Sequence, residues 1–512
     1  MRMIRQLLAA GIAILAATLG TAAQNSMEVR PEAGRIAYSP MIFGGFLEHF
    51  DNQIYGGVFC PGSPLSDEDG FRKDVLEAVR ELKIPVVRWP GGCFVSAYHW
   101  KDAVGPNRQS VWDKAWQVED PNTFGTDEFV KWCRKAGCEP FICTNAGTGS
   151  MEEMSDWVEY CNQTAGKFAR QRAANGSPEP YNVKYWSIGN ENWGRHELGE
   201  KSPEEWGPLV RESAKLMLSA DKDIRLFAAA LPDEYWTLPL LKNAGYLLDY
   251  VSIHGYWVTP GLSRDPSTYL TCMMRTGGPE TSIRRTIDIL KKAGVADRIK
   301  IAFDEWNLRY WYHPGIGDLK RGYDYQARRE NDRADTYTMA DAIFVACFLN
   351  TCLRHADIVD MACISPITNT RGPLFVYPDG IVRRTSFYAL KMYSNDLLPY
   401  YVPTDDKVEP LTQGERSTGV LDILLTCDEA GKSYVCSVAN KHPEEAQTLT
   451  LDFEGLGVKA PRKVHARILS GRSALDYNDI GDEHVKPYDT TLPVRDGKVS
   501  IPPHSVTFLF LD

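Results

Sequence analysis

The chain has 512 residues, of which 43% are hydrophobic and 24% are charged, a composition typical of soluble globular proteins. This length predicts one large domain beside a smaller one, because single cores rarely grow beyond about 300 residues. The net charge is −10, and no run of Lys or Arg follows the N-terminus. We therefore expect no nucleic acid partner, since nucleic acid binding needs a basic surface.

The first 23 residues have the features of a signal peptide. Arg2 and Arg5 give a basic start, residues 7–19 form an apolar stretch, and residues 21–23 (Thr-Ala-Ala) suit a signal peptidase. An uncleaved anchor is the weaker alternative, because the apolar stretch is short for a membrane span. We expect cleavage, export to the periplasm or the medium, and no stable membrane span afterwards.

Short apolar strands alternate with amphipathic helices over residues 41–397. Eight strands are predicted, at Ile42–Leu47, Pro85–Trp89, Pro140–Thr144, Val183–Ile188, Arg225–Ala229, Tyr250–His254, Ile299–Phe303 and Ile358–Ile364. Helices are predicted at Asp67–Leu82, Thr126–Ala136, Met151–Ala174, Pro203–Ser219, Ser282–Ala293, Ala334–Arg354 and Arg384–Leu397. This alternation predicts an α/β fold with a closed (β/α)8 TIM barrel. An open doubly wound sheet is the alternative, but no glycine-rich dinucleotide loop follows the first strand.

The pattern changes in residues 398–512, where strands of period two are separated by turn residues. Five strands are predicted, at Val420–Thr426, Ser433–Asn440, Ala446–Phe453, Lys463–Leu469 and His504–Leu511. Long helical patterns are absent from this part, so it is predicted to be a C-terminal all-β sandwich domain. The segment 24–40 is partly strand-like, and we expect it to pair with this sandwich.

The 12 cysteines are scattered and do not form the framework of a small disulfide-rich protein. Cys133, Cys138 and Cys143 lack the spacing of a zinc site and have no accompanying His, so free buried thiols are expected. Glu48 and His49 are a second candidate metal pair, but adjacent strand residues diverge and no third ligand is evident. We expect neither a metal nor an organic cofactor.

Carboxylates follow two of the predicted barrel strands, where barrel enzymes place catalytic groups. Glu191 follows the fourth strand and Glu305 follows the seventh, each with apolar and aromatic neighbours. Desolvation by such neighbours could raise the pKa of a carboxyl, as a general acid needs. Alone, each glutamate is equally compatible with a surface loop or a salt bridge. Together they predict two carboxylates facing each other across one barrel mouth, which is the minimum for glycoside hydrolysis.

The position of the two glutamates does not decide which is the acid and which the nucleophile. Asp304 competes with Glu305, but adjacent side chains on a strand point to opposite faces, so only one can face the mouth. Carboxyl groups about 5–5.5 Å apart would mean retention of the anomeric configuration, and a wider gap would mean inversion.

Further polar side chains lie in or after other barrel strands. Arg88 lies inside the second strand, where a buried guanidinium needs a carboxylate, and Glu305 is its natural partner. Tyr256 could hydrogen-bond Glu305 in the same way. His254 is as compatible with a barrel-interior histidine as with a role in the site. Glu48 has no acid/base role left and is expected to bind a sugar hydroxyl.

Five stretches resemble the α-L-arabinofuranosidases of glycoside hydrolase family 51. They are FGGFLEHF (43–50), VVRWPGGCFVSAYHWKDAVGP (86–106), YWSIGNENWG (185–194), VSIHGYW (251–257) and FDEWNLRYWYH (303–313). The resemblance implies a retaining barrel hydrolase with a C-terminal β-sandwich. It implies exo-acting release of terminal α-L-arabinofuranosyl residues from arabinose-containing plant polysaccharides or oligosaccharides, and a homo-oligomer.

The same resemblance implies roles for individual residues. Glu191 would be the acid/base and Glu305 the nucleophile. The subsite for the terminal arabinofuranose would be lined by Glu48, Arg88, Cys93, Asn190 and Tyr256. A loop near the rest of the substrate would include Trp306, Trp311 and Tyr312.

The chain departs from the family pattern after the eighth strand. Many members have a Gln there that touches the sugar, and this chain has Pro366. A proline side chain cannot donate a hydrogen bond, and Asn369 is the residue expected to compensate.

Two other functions fit the same sequence. One is another specificity among retaining barrel hydrolases, such as a β-xylosidase or an endo-glucanase. The other is a non-catalytic sugar-binding protein, which would not need Glu191 and Glu305 to face each other.

Overall fold

The structure is a computed structural model that describes residues 25–258, 266–310, 322, 324 and 333–512. The predicted signal peptide, Trp311 and Tyr312 lie outside these described residues. Among the helices that the structure describes, none combines the length and apolar character needed to cross a bilayer.

The strands of the barrel and its surroundings lie among the described residues between 25 and 364. In chain order the described ones are β1 (Asn25–Val29), β2 (Ile36–Ala37), β3 (Gly44–Phe46), β4 (Val86–Trp89), β5 (Val111–Asp113), β6 (Val118–Asp120), β7 (Glu139–Thr144), β8 (Tyr185–Ile188), β9 (Arg225–Ala229), β10 (Tyr250–Val258), β11 (Lys300–Arg309) and β12 (Val359–Ile364). Strands β3, β4 and β7 to β12 close into a parallel barrel in chain order. The predicted TIM barrel is confirmed, and each of its eight predicted strands overlaps an observed one.

Helices pack around the barrel. They are α1 (Lys73–Glu81), α2 (Thr126–Ala136), α3 (Met151–Asn162), α4 (Lys167–Ala174), α5 (Pro203–Ala220), α6 (Glu234–Ala244), α7 (Pro266–Met273), α8 (Gly278–Ala293), α9 (Met339–Arg354) and α10 (Thr385–Asp396). The single helix predicted over Met151–Ala174 is wrong. Gly166 has φ 101°, which breaks the helical path between α3 and α4. Helices α6 and α7 were not predicted.

The inside of the barrel is filled by apolar side chains, which leaves the carboxyl ends of the strands as the place for a site. The rings of Phe227 and Tyr250 stack there with centroids 4.1 Å apart. The other members of this inner cluster are Phe46, Val86, Phe141, Tyr185, Ala302, Met361 and Cys363.

Two strands are longer than predicted and extend beyond the barrel wall. Strands β10 and β11 stay paired as far as Val258 and Arg309. The extension places Tyr256 and Glu305 inside strands rather than in the loops that follow them. Backbone pairing therefore holds these two side chains in position over the mouth of the barrel.

Two β-sheets form the C-terminal part. Their strands and the neighbouring hairpins are β13 (Leu374–Tyr377), β14 (Gly380–Arg383), β15 (Tyr400–Val402), β16 (Thr404–Lys407), β17 (Pro410–Gln413), β18 (Arg416–Gly419), β19 (Leu421–Cys427), β20 (Tyr434–Asn440), β21 (Gln447–Leu451), β22 (Lys463–Ser470), β23 (Tyr488–Pro493), β24 (Lys498–Ile501) and β25 (Ser505–Leu511). One sheet has the order β16-β1-β21-β24 and the other β2-β15-β19-β20-β25-β22-β23. The N-terminal strands β1 and β2 are thus built into the two sheets.

The sheets face each other and also pack on the barrel. Met27 of one sheet contacts Cys436 of the other, with their sulfur atoms 3.9 Å apart. Arg354 of α9 pairs with Asp422 of β19 at 2.9 Å, which joins a barrel helix to the sandwich.

Candidate active site

The two predicted carboxylates meet at the mouth of the barrel. Glu191 follows β8 and Glu305 lies in β11. One carboxylate oxygen of each, together with a ring nitrogen of His254, lies within 4.8 Å of the others. The structure therefore brings Glu191 and Glu305 together across the mouth.

A tight turn after β8 aims Glu191 into the mouth. Gly189 has φ 70°, and a Cβ there would lie 2.1 Å from Asn192 Oδ1, so only glycine fits. Glu191 itself has φ 44°, in a left-handed region that non-glycine residues rarely adopt. Backbone strain of this kind is found where the surrounding structure holds a functional side chain in place.

Arg88 and Tyr256 hold the Glu305 carboxylate from two sides. The Arg88 guanidinium donates to Glu305 Oε2 at 3.0 Å, and the Tyr256 hydroxyl donates to Oε1 at 2.5 Å. Arg88 is fully buried, so its charge has no water to stabilise it and needs this partner. Both contacts expected from the sequence are present.

Asp304 lies behind Glu305 and shares the same guanidinium. Strict strand alternation predicted that the two carboxylates diverge, but Arg88 Nε lies 3.2 Å from Asp304 Oδ2. The pairing of β11 with β12 is irregular between Phe303 and Trp306, so alternation fails at this point. Asp304 is fully buried and accepts a hydrogen bond from Ser252 at 2.6 Å. These contacts make it a buried partner of Arg88 and not a competitor for the mouth.

His254 bridges the two carboxylates. Its Nδ1 lies 2.7 Å from Glu191 Oε1 and 3.5 Å from Glu305 Oε2, and its Nε2 lies 3.6 Å from Asp304 Oδ1. Burial opposes a charge on the ring, but Glu305, Asp304 and Glu191 outweigh it and raise the pKa of His254 to about 10. The histidine is therefore a charged member of the site.

A second imidazole contacts Glu191, and the sequence did not reveal it. His196 Nε2 lies 2.7 Å from Glu191 Oε2. Burial raises the pKa of Glu191, but its contacts with His196 and His254 outweigh burial and hold that pKa below its usual range. The sequence analysis expected the apolar neighbours to raise the pKa of Glu191, which is the opposite direction. In this structure Glu191 is a carboxylate between two imidazolium rings.

Glu197 is a buried carboxylate that the sequence also did not reveal. Its oxygens accept hydrogen bonds from Asn190 Nδ2 at 2.9 Å and from Ser96 Oγ at 2.8 Å. Burial, followed by the charge of Glu191, raises the pKa of Glu197 to about 7. Asn190 also accepts a hydrogen bond from Arg88 at 2.7 Å, so its amide links the two sides of the site. Only the position of Glu197, shortly after a barrel strand, could have indicated it.

Glu48 is held at the base of the site. Its Oε1 accepts hydrogen bonds from Phe94 N at 3.1 Å and from Trp116 Nε1 at 3.2 Å. A Cβ at Gly92 would lie 3.2 Å from Glu48 Oε1 and 3.5 Å from Glu305 Oε2, so glycine lets both carboxylates approach. Burial, followed by the charge of Glu305, raises the pKa of Glu48 to about 8.

The candidate metal pair Glu48 and His49 is not formed. His49 Nδ1 lies 2.9 Å from Asp120 Oδ2, on a different partner from Glu48. The three cysteines at 133, 138 and 143 are buried and free, and none of the 12 cysteines, all of which are described, forms a disulfide. Among the described residues, three groups of side chains have a spacing that could hold a metal ion, and one of them is Glu191, His254 and Glu305.

Three further residues were predicted to lie near the substrate, and they have different outcomes. Cys93 is half-buried and hydrogen-bonds Glu197, so it lies in the site. Trp311 lies outside the described residues. Trp306 is wrong as a loop residue, because it is buried and stacks on Phe348 with centroids 3.6 Å apart.

Asn369 does not have the role expected for it. Its Nδ2 donates to Asn52 O at 2.6 Å and its Oδ1 accepts from Val376 N at 2.7 Å. Both polar atoms of the side chain are thus occupied by backbone partners. It instead fixes the loop after β12, so it does not compensate for Pro366.

Two family models match the chain. The α-L-arabinofuranosidase 1 domain matches residues 78–271, and the α-L-arabinofuranosidase C-terminal domain matches residues 304–505. A probable α-L-arabinofuranosidase C from Aspergillus clavatus is 35% identical over 509 residues, covering 92% of this chain and 94% of the relative. An intracellular exo-α-(1→5)-L-arabinofuranosidase from Acetivibrio thermocellus is 32% identical, covering 87% of this chain and 90% of the relative.

A solved structure agrees with these matches. The thermostable GH51 α-L-arabinofuranosidase from Thermotoga petrophila superposes with a TM-score of 0.80 at 31% identity. The superposition covers 96% of this chain and 100% of that one.

Replacement of Glu48 by Gln tests the electrostatics of the site through stability. The pKa of Glu48 is about 8 in the folded protein, and that of an unfolded Glu is about 4.3. The stability that the neutral carboxyl contributes is therefore present below about pH 4.3 and is lost as the pH rises through about 8. As the pH rises from about 5 to about 9, the free energy of unfolding should fall less in Glu48→Gln than in the wild type. Urea titration at each pH measures it.

The exposed Glu429→Gln is the matched control and should follow the wild type. An equal loss in Glu48→Gln and the wild type would contradict the raised pKa.

Proposed function

We propose, since the chain belongs to the α-L-arabinofuranosidases of glycoside hydrolase family 51, that it is a retaining, exo-acting hydrolase. It releases terminal non-reducing α-L-arabinofuranosyl residues from arabinose-containing polysaccharides or oligosaccharides. Exo action is supported by the name of the Acetivibrio thermocellus relative, which is described as an exo-α-(1→5)-L-arabinofuranosidase. A plant source of the substrate and homo-oligomeric assembly belong to the same proposal and rest on the family resemblance.

The observation that carries the proposal is the separation of the two carboxylates. Oxygens of Glu191 and Glu305 lie within 4.8 Å of each other. Retaining glycosidases have their carboxyl groups about 5–5.5 Å apart, whereas inverting enzymes need about 6.5–9.5 Å to admit a water. This gap suits a double displacement.

In the first step, Glu305 attacks the anomeric carbon while Glu191 protonates the leaving oxygen. Arg88 and Tyr256 orient Glu305 through hydrogen bonds of 3.0 Å and 2.5 Å. In the second step, Glu191 takes a proton from a water that attacks the same carbon and releases Glu305. Both steps use side chains of this chain alone.

The subsite for the terminal sugar forms part of the proposal. It is lined by Glu48, Arg88, Cys93, Asn190 and Tyr256. All of these except Glu48 contact Arg88, Glu197 or Glu305, and Glu48 is held by Phe94 N and Trp116. Trp311 remains a prediction for the outer part of the substrate.

A comparison of aryl glycosides tests the sugar assignment against the rival specificities. We expect kcat/KM for 4-nitrophenyl α-L-arabinofuranoside to exceed that for the β-D-xyloside by about 100-fold or more, because a site built to hydrogen-bond one sugar rejects another. Equal or faster hydrolysis of the xyloside would favour a β-xylosidase. No hydrolysis of either would favour a sugar-binding protein.

Azide rescue separates the roles of the two glutamates. Glu305→Ala should lower kcat by about 10⁴-fold or more, because the covalent step is lost. Glu191→Ala should lower kcat by about 10²–10⁴-fold for substrates with poor leaving groups. Azide should then yield a glycosyl azide of retained configuration from Glu191→Ala and of inverted configuration from Glu305→Ala, identified by NMR.

The outcome that contradicts the roles is the reverse pattern of azide products. Near-normal turnover by Glu305→Ala would also contradict them. Asp223→Ala, at an exposed position in the loop between α5 and β9, is the control and should leave both kcat and the products unchanged.

Export belongs to the proposal as well. Its support is the basic start, apolar stretch and small-residue cleavage site of residues 1–23. We expect the protein expressed with its full sequence to appear in the periplasm or medium with a new N-terminus at Gln24, measured by intact mass. A cytoplasmic protein that keeps residue 1 or 2 would contradict export.

A further inference from the structure

His196 occupies the solvent side of the acid/base carboxylate. Its Nε2 lies 2.7 Å from Glu191 Oε2 and 3.8 Å from Glu197 Oε1. About a third of its side chain is exposed, whereas His254 on the other side of Glu191 is only 6% exposed. Glu191 is therefore held between an inner imidazole and an outer one.

The outer imidazole is fixed in position. The ring of Trp193 packs edge-on against it, with centroids 5.8 Å apart and planes at 73°. A Cβ at Gly194 would lie 2.3 Å from His196 Cε1, so the ring rests directly on the glycine backbone. The local chain thus holds the ring of His196 in a defined orientation toward Glu191.

The two imidazoles differ in how freely each can release a proton. His254 faces three carboxylates, Glu191, Glu305 and Asp304, and is closed off from water. His196 faces Glu191 and Glu197 and reaches solvent. The surrounding negative charge therefore holds the proton on the inner ring. The outer ring, which reaches solvent, is the one that can exchange its proton with water.

Glu191 needs a proton before it can act as an acid. The structure holds it as a carboxylate, but protonation of the leaving oxygen requires the neutral carboxyl. A proton must therefore reach Glu191 from a neighbouring group when substrate binds and displaces water from the mouth.

We propose that His196 is a positioning residue that holds Glu191 in place and passes it the proton for the leaving oxygen. The proposal rests on the function proposed above and deepens it. Transfer moves the proton from His196 Nε2 to Glu191 Oε2 and leaves a neutral imidazole. Glu191 then gives the proton to the leaving oxygen as Glu305 forms its bond to the anomeric carbon.

The second displacement reverses the transfer. Glu191 takes a proton from the attacking water, the bond between the sugar and Glu305 breaks, and Glu191 returns the proton to His196. The net reaction consumes one water and leaves the protein unchanged.

Charged and titratable groups around His196 support this exchange. Glu191, Glu197 and Cys93 face the ring, and Glu305 acts on it from farther away. Burial lowers the pKa of His196, but the contact with Glu191 and the charges of Glu191 and Glu197 raise it to about 9. His196 therefore carries a proton across the neutral range and loses it at higher pH.

Leaving-group dependence tests the proposal. His196→Gln can still hydrogen-bond Glu191 but carries no exchangeable charge, and His196→Ala removes both. We expect kcat/KM of both variants to fall about 10-fold or more for an alkyl α-L-arabinofuranoside, which needs acid assistance. The 2,4-dinitrophenyl arabinofuranoside needs little assistance in the first displacement, so its kcat/KM should fall less than about 3-fold. The basic limb of the pH profile for the alkyl substrate should move to lower pH.

A displaced ring provides an independent variant. Gly194→Ala keeps the imidazole but pushes it off the position that contacts Glu191, because the new Cβ would overlap the ring. It should reproduce the leaving-group effect of His196→Gln.

His484→Ala is the matched control. His484 also lies between two carboxylates, at 2.8 Å from Asp476 and 2.8 Å from Asp482, but in the sandwich. This substitution should change neither the kcat/KM for the two substrates nor the pH profile.

Two results would overturn the proposal. One is an equal fall for both substrates in His196→Gln, which would indicate a purely structural role. The other is an unchanged pH profile in both His196 variants. Failure of the proposed function would look different, because the wild type itself would then not hydrolyse the dinitrophenyl arabinofuranoside.

Discussion

The buried guanidinium of Arg88 is the interaction on which the site depends. It has no exposed surface, and it binds Glu305, Asp304 and Asn190 at 3.0, 3.2 and 2.7 Å. A buried charge without partners would cost several kcal/mol, so these contacts are needed for the barrel to hold a cation at its centre. In turn the cation allows carboxylates to sit close together in a region from which water is excluded.

The charges around Arg88 divide the site into two halves. On one half, Glu305 is paired with Arg88 and Tyr256. On the other, Glu191 lies between His254 and His196, at 2.7 Å from each. Two chemically identical side chains can act as acid and nucleophile when their environments give them different pKa values. We propose that the two glutamates differ in function because their cationic partners differ: a guanidinium does not give up its proton, whereas an imidazolium can.

Much of the fold could be predicted from the sequence, because each barrel strand is an apolar run bounded by polar or turn residues. The pairing of Arg88 with Glu305 followed from the cost of burying a charge. His196 and Glu197 could not be predicted, because their contacts depend on the left-handed turn at Glu191. Asp304 was correctly expected to stay out of the mouth, but its contact with Arg88 could not be foreseen, because the pairing of β11 becomes irregular at this point. The role expected for Asn369 could not be checked from the sequence, since a loop amide can hydrogen-bond the backbone as readily as a ligand. Here it bonds the backbone.

The central claim is that Glu191 and Glu305 act as a retaining pair on an arabinofuranoside. Methanolysis tests it most directly, because the methyl glycoside formed is stable and does not change its anomeric configuration after release. The wild-type protein, incubated with 4-nitrophenyl α-L-arabinofuranoside in dilute methanol, should yield methyl α-L-arabinofuranoside by ¹H NMR. Formation of the β-anomer would mean a single displacement and would contradict the account.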